Sequence, residues 1–148
     1  MATILVTGGA GYIGSHTVCE LVKAGYDPII FDNFSNAKPA VLARIKQICG
    51  RSVPFYAGDI RVYDQLAQVF EEHKIDGVIH FAGLKAVGES VKKPLEYYDN
   101  NVNGSRVLLQ VMRDYKCYNF IFSSSSTVYG EPDSLPLTEN SPVKRANC

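Results

Sequence analysis

The sequence predicts an α/β protein built on a doubly wound parallel sheet. Three observations predict it. Short apolar runs alternate with segments of helical periodicity, the β-α-β-α order that feeds parallel strands through crossover helices. The first apolar run leads into Gly8-Gly9-Ala10-Gly11-Tyr12-Ile13-Gly14, a glycine turn that opens a helix. The second apolar run ends in a carboxylate, Asp32.

Ile4–Thr7 has the continuous apolar character of a strand buried on both faces. From Tyr12 to Ala24, Val18, Leu21 and Val22 recur at helical spacing, and Gly25 suits the residue just past the helix end. Pro28–Asp32 is the second strand. Val41 to Ile48 is a helix with Leu42, Ile45 and Ile48 on one side. Val53–Ala57 is a third strand, and Pro54 assigns it to a sheet edge. Leu66, Val69 and Phe70 mark a helix ending near His73, and Gly77-Val78-Ile79-His80-Phe81 is the fourth strand. Leu95 to Tyr115 reads as one long helix. Phe120-Ile121-Phe122 is the fifth strand and runs into Ser123-Ser124-Ser125-Ser126. Residues Glu131 to Cys148 read as a loop, and the whole chain, 1–148, reads as a single domain.

Composition narrows the functional classes. The chain has 148 residues, enough for one core. Lys+Arg and Asp+Glu both number 15, so net charge calls for neither nucleic acid nor an acidic membrane surface. No apolar run is long enough to span a bilayer. Cys19, Cys49, Cys117 and Cys148 form no C-x-x-C pair or zinc spacing, and His16, His73 and His80 show no metal pattern. No metal site is expected. Reduced thiols and a cytoplasmic location are.

The glycine turn carries the functional signal. Without side chains at Gly8, Gly11 and Gly14, backbone can approach a pyrophosphate, and the helix N-terminus offers it unpaired N–H groups and partial positive charge. A carboxylate at Asp32 can accept from both hydroxyls of an adenosine ribose and repels a 2′-phosphate, which favours NAD over NADP. Asp32 is also a good turn residue in its own right. Asp59 can accept from an adenine amino group, or serve as an ordinary turn aspartate. Phe81-Ala82-Gly83 closes the fourth strand at the edge where ligands bind in such sheets. Lys85, just beyond, can pair with a phosphate or ribose, or simply be solvated. Asn100 and Asn101 break helix preference mid-helix, a hint of a site. Hydroxyls from Ser123 to Thr127 can hydrogen-bond a sugar. His80, in an apolar strand, reads as a hydrogen-bonded core histidine.

Four segments carry a resemblance: Val6 to His16, Asp32-Asn33, His80 to Ser90 (HFAGLKAVGES) and Phe122 to Gly130 (FSSSSTVYG). The third, with Pro94-Leu95-Glu96-Tyr97-Tyr98 behind it, is far more specific than the glycine turn. On these the chain resembles the UDP-glucose 4-epimerases, in the extended short-chain dehydrogenase/reductase superfamily with its Rossmann-like NAD-binding fold. The resemblance covers nearly the whole chain. It implies interconversion of UDP-glucose and UDP-galactose, in galactose metabolism, with tightly held NAD. In that reaction a tyrosine of a Y-x-x-x-K motif takes the proton of the sugar 4-hydroxyl and hydride leaves C4. The ketosugar then rotates and takes hydride back on its other face.

The resemblance also implies cofactor positions at Gly8, Gly11, Tyr12, Ile13, Gly14 and Asp32, and along Asn33, Phe34, Ser35, Asn36 and Ala37. It continues them at Asp59, Ile60, Phe81, Ala82, Gly83, Leu84, Lys85 and Asn100. Ser125 falls on the catalytic serine, with Thr127 beside it. A homodimer is implied too, through the long helix and a tyrosine-bearing helix.

None of the nine tyrosines is followed four positions later by lysine. The expectation is therefore an incomplete NAD-binding domain lacking the base, the later strands and the sugar-nucleotide lobe. Such a chain is expected to be inactive alone and to expose an apolar patch. Two other readings stay open: a nucleotide-sugar 4,6-dehydratase or decarboxylase, and a non-catalytic NAD-binding module. Against the first, Ser126-Thr127 precede Val128-Tyr129-Gly130 where those enzymes carry an acid.

Overall fold

A computed structural model describes residues 1–144. Cys148 and the end of the expected loop lie outside the described residues. Five parallel strands form one sheet in the order β3-β2-β1-β4-β5: β1 Thr3–Thr7, β2 Asp27–Asp32, β3 Phe55–Ala57, β4 Gly77–His80 and β5 Phe120–Phe122. Central β1 pairs with β2 from Thr3↔Asp27 to Thr7↔Phe31, and with β4 from Ile4↔Gly77 to Thr7↔His80. The connections run outward from β1 through β2 to β3, then return to start β4 on its other side. That reversal leaves a crevice at the carboxyl ends of β1 and β4.

Alternation along the strands divides the core between the two faces. Leu5, Ile29 and Phe31 point to one side. There they pack against Leu66, Val69 and Phe70 of α3 (Tyr63–Glu72) and Val107, Leu108 and Val111 of α6 (Gly104–Asp114). Val6 and Ile30 point to the other, against Val18 and Cys19 of α1 (Tyr12–Lys23) and Ile45 of α2 (Ala40–Cys49). α1 ends as its glycine suggested: Gly25 N–H donates to Val22 at 3.1 Å and Tyr26 N–H to Leu21 at 2.9 Å. Those bonds satisfy two of the carbonyls a helix end leaves over. β3 lies at the sheet edge and is shorter than expected, starting at Phe55. The Pro54 carbonyl nonetheless accepts from Ile30 N–H at 2.9 Å.

The expected helix from Leu95 to Tyr115 is not continuous. A short α4 (Val87–Lys92) precedes α5 (Pro94–Tyr98). A π-turn, Asp99–Asn103, separates α5 from α6. There Gly104 N–H bonds the Asp99 carbonyl, five residues back. Four of the five residues in that turn are Asp or Asn, which compete with the helical backbone for hydrogen bonds. Val91, Leu95, Tyr98 and Val102 on these helices are exposed, as are Ile121 and Phe122 of β5. No helix among the described residues is long and apolar enough to cross a membrane.

His80 ties three elements together. Its Nδ1 meets Thr7 Oγ1 on β1, and its Nε2 lies 2.9 Å from Ser105 Oγ on α6. Ser105 Oγ–H is directed to the Asn101 carbonyl at 2.6 Å, so Nε2 carries the ring proton and Nδ1 accepts from Thr7. Burial, with Lys85 adding positive charge nearby, pushes the imidazole down to about 4. The unfolded ring takes its proton near its ordinary value of about 6.5. Because the fold disfavours the charged ring, stability falls as pH drops from about 6.5 toward 4, by about 3 kcal/mol in all. NMR should find His80 neutral with the proton on Nε2 at pH 5.5; titration near 6.5 would contradict this.

Candidate cofactor and sugar site

Two adjoining cavities open at the carboxyl ends of the strands, of about 100 Å³ and about 530 Å³. Phe81, Ala82, Gly83 and Leu84, the segment leaving β4, line both.

The smaller cavity starts at the glycine turn. Gly8 takes φ +68°, and its N–H donates to the Phe31 carbonyl at 2.8 Å, tying the turn to β2. A Cβ on Gly8 would lie 2.7 Å from Ala82 N, so the turn and the segment after β4 are in backbone contact. A Cβ on Gly14 would be driven into the Gly8 carbonyl. Helix α1 thus begins against the turn, and Gly11, at its N-cap, has no side chain to fold over the first amides. Tyr12 and Ile13 are exposed on that first turn.

Asp32 is almost fully buried at the end of β2 and lines the same cavity. Its Oδ2 accepts from Ala10 N–H at 3.0 Å and its Oδ1 from Phe34 N–H at 2.8 Å. It therefore serves as a turn residue and faces a cavity at once. A carboxylate has about four acceptor positions. Among the described residues, each oxygen meets one backbone N–H, which leaves it one further acceptor position. The second bond holds Phe34 at φ +55°, a left-handed conformation that non-glycine residues seldom take. The Phe34 side chain turns away into the α1–α2 cluster, while Asn33, Ser35, Asn36 and Ala37 line the cavity.

Gly58, Ile60 and Asn100 complete that wall. Asp59, between the first two, does not itself line the cavity but accepts from the wall residue Asn33 at 3.3 Å. Arg61 grips it through Nε at 2.9 Å and Nη2 at 2.7 Å, which holds the carboxyl down at about 2.

The larger cavity collects the expected sugar-side residues. Lys85, Ser125 and Thr127 line it, with His80, Tyr97 and Asn101. Lys85 Nζ is 3.5 Å from the Ser123 carbonyl, so this lysine belongs to the larger cavity. Ser125 caps the short 3₁₀ turn Ser126–Tyr129, and Thr127 Oγ1–H donates to Ser125 Oγ at 3.0 Å.

Three contributors had no role assigned from sequence, and only Asn101 was marked there, as half of a polar pair. Asn101 holds both sides of Leu84, accepting from its N–H at 2.8 Å and donating to its carbonyl at 2.9 Å. Tyr97, 3 % exposed, brings its hydroxyl to the Ala86 backbone and to Glu89 Oε2. Arg61 is the third. The Asn100-Asn101 pair was the only local signal for the first; Tyr97 lay in a segment of the resemblance without a role of its own, and nothing local marked Arg61. Among the described residues no His, Cys, Asp and Glu cluster could hold a metal, and Cys19, Cys49 and Cys117 are free thiols.

A family profile described as GDP-mannose 4,6 dehydratase matches residues 5–148. The UDP-glucose 4-epimerase of Pasteurella multocida is 58% identical over 140 residues, 95% of this chain and 41% of that protein. The UDP-glucose 4-epimerase of Bifidobacterium longum, solved in complex with NAD+ and UDP, superposes with a TM-score of 0.94 at 55% identity. The match covers 97% of this chain and 43% of that one. The Brucella ovis enzyme, solved in complex with NAD, gives a TM-score of 0.89 at 39% identity, over 99% of this chain and 43% of that one. The chain spans about two fifths of the length of the relatives it matches.

Proposed function

This chain belongs to the GDP-mannose 4,6 dehydratase family and is a homologue of UDP-glucose 4-epimerases, and from that premise we propose that its smaller cavity is an NAD site. One observation carries the reading. The cavity is bounded by a side-chain-free turn at a helix N-terminus and, across it, by a carboxylate with acceptor positions to spare. The amides beyond Gly11 bind the pyrophosphate, and Asp32 binds the adenosine ribose diol. Asn33, Ser35, Asn36 and Ala37 enclose the adenosine half, with Ile60 on the base. The segment from Phe81 to Lys85 holds the part that reaches into the larger cavity, and Asn100 holds the part that stays in the smaller one.

NAD, when bound, supplies a reversible acceptor for hydride. The residues of this chain bind and orient. Thr127 donates to Ser125, which leaves the Ser125 hydrogen available for the sugar 4-oxygen. In the whole protein we assign UDP-glucose and UDP-galactose as substrates, the cytoplasm as location and a second copy as partner.

The 148 residues form one NAD-binding domain without a Tyr-x-x-x-Lys base. The expected result is saturable binding of one NAD per chain and no conversion of UDP-galactose by these residues alone. A titration followed by a coupled galactose assay checks both. Absence of NAD binding would remove the reading; turnover would remove the claim of inactivity.

The family description also raises a 4,6-dehydratase. The absence of an acid before Val128-Tyr129-Gly130 favours the epimerase, since eliminating water needs an additional acid–base pair. Assaying the whole gene product with UDP-galactose and with a dTDP-hexose separates them.

A further inference from the structure

Asp59 raises a question of capacity. Its Oδ1 accepts from Arg61 N–H and Nε, both at 2.9 Å, and its Oδ2 from Arg61 Nη2 at 2.7 Å. Three of about four acceptor positions are therefore taken by one residue. The fourth is met by Asn33 Nδ2 at 3.3 Å, the longest of the set, and Asn33 is itself part of the cavity wall. Only that position can be exchanged for another donor.

Arg61 does not stop at Asp59. Its Nη1 reaches Asp99 Oδ2 at 2.7 Å, and Asp99 Oδ1 accepts from Asn103 Nδ2 at 3.0 Å. Asp99 and Asn103 are the two ends of the π-turn that carries Asn100 and Asn101. One guanidinium thus joins the turn after β3 to the π-turn, and the residues flanking its contacts (Gly58, Ile60 and Asn100) are three cavity walls. Isolated exposed ion pairs contribute little, but a planar fork that holds two acids in fixed directions is the exception.

We propose that Arg61 is a positioning residue that sets adenine specificity: it locks Asp59 so that one acceptor position faces an amino donor on the bound base, the place now held by Asn33. This rests on the NAD reading above.

The test uses the 148-residue chain and two probes, NAD and nicotinamide hypoxanthine dinucleotide, which has a carbonyl where adenine has its amino group. The wild type should prefer NAD by about tenfold, the loss expected for a missing bond to a carboxylate. Arg61→Ala should bring the two probes within about twofold, mainly by weakening NAD. Arg61→Lys keeps the charge but cannot form the fork, and should lose the preference as well. Without any ligand, amide exchange in Arg61→Ala should rise together at 58–60 and at 99–103.

An Arg61→Ala or Arg61→Lys chain that keeps the wild-type preference would overturn the proposal. So would equal weakening of both probes, or exchange that rises in neither segment. A wild type that binds neither probe would overturn the NAD reading itself, and the specificity proposal with it.

Discussion

Replacing Gly14 by alanine should unfold the start of α1 or force it away from the glycine turn, at about 3 kcal/mol or more. The added Cβ runs into the Gly8 carbonyl and lies 2.8 Å from Gly9 Cα. Both obstacles are backbone, so no side chain can rotate to make room. Gly8 is itself fixed, by its bond to Phe31 and its contact with the segment after β4. Relief therefore comes only by moving the helix. Because the proposed pyrophosphate donors are the first amides of that helix, NAD binding should weaken by about a hundredfold. Gly88→Ala is the control, since nothing lies within 4 Å of the added carbon. Urea unfolding and NAD titration of both variants check this. A Gly14→Ala chain with wild-type stability would show that the turn is looser than its contacts imply.

Changing Asp32 to asparagine should have the next largest effect. The carboxylate holds Ala10 N–H on one oxygen and Phe34 N–H on the other, and an amide keeps only one oxygen. Its NH₂ group would face an N–H donor. Loss of one charged bond and strain on the other cost about 3 kcal/mol. Phe34, released from its left-handed conformation, should loosen the segment to Ala37. NAD binding should fall by at least about tenfold. Asp32→Ser tests discrimination separately: with the negative charge gone, the preference for NAD over NADP should shrink. If both dinucleotides weaken in proportion, Asp32 holds the turn but does not select the cofactor.

How far the sequence could be read depended on whether a feature was set by neighbours in the chain. The buried strands were legible because two-sided burial leaves a continuous apolar run, and the end of α1 because Gly25 satisfies a local rule. The fold class and the likeness to epimerases followed from such local segments. The cavity gathers Gly8, Asp32, Asn33, Phe81 and Asn100, which the reading had singled out.

The failures lie where partners are remote. The apolar spacing from Leu95 to Tyr115 is helical and carries no mark of the π-turn, whose register is fixed by contacts at Leu84, Arg61 and His80. Arg61 has no mark of its own in the sequence, because Asp99 is 38 positions away. His80 was rightly read as hydrogen-bonded, yet its partners, Thr7 and Ser105, could not be named from an apolar strand alone.

The place of β1 in the sheet bears on how the protein comes off the ribosome. β1 meets β2 as soon as α1 is made, but its opposite edge waits for Gly77 to His80. Until then the nascent chain exposes a bare row of amides and carbonyls, a surface that chaperones or other strands can occupy. The walls that face each other across the crevice belong to segments synthesised far apart in time. Acquisition of ligand affinity during translation should accordingly be abrupt, arriving only after the fourth strand has emerged, and an arrested chain ending before it should have none.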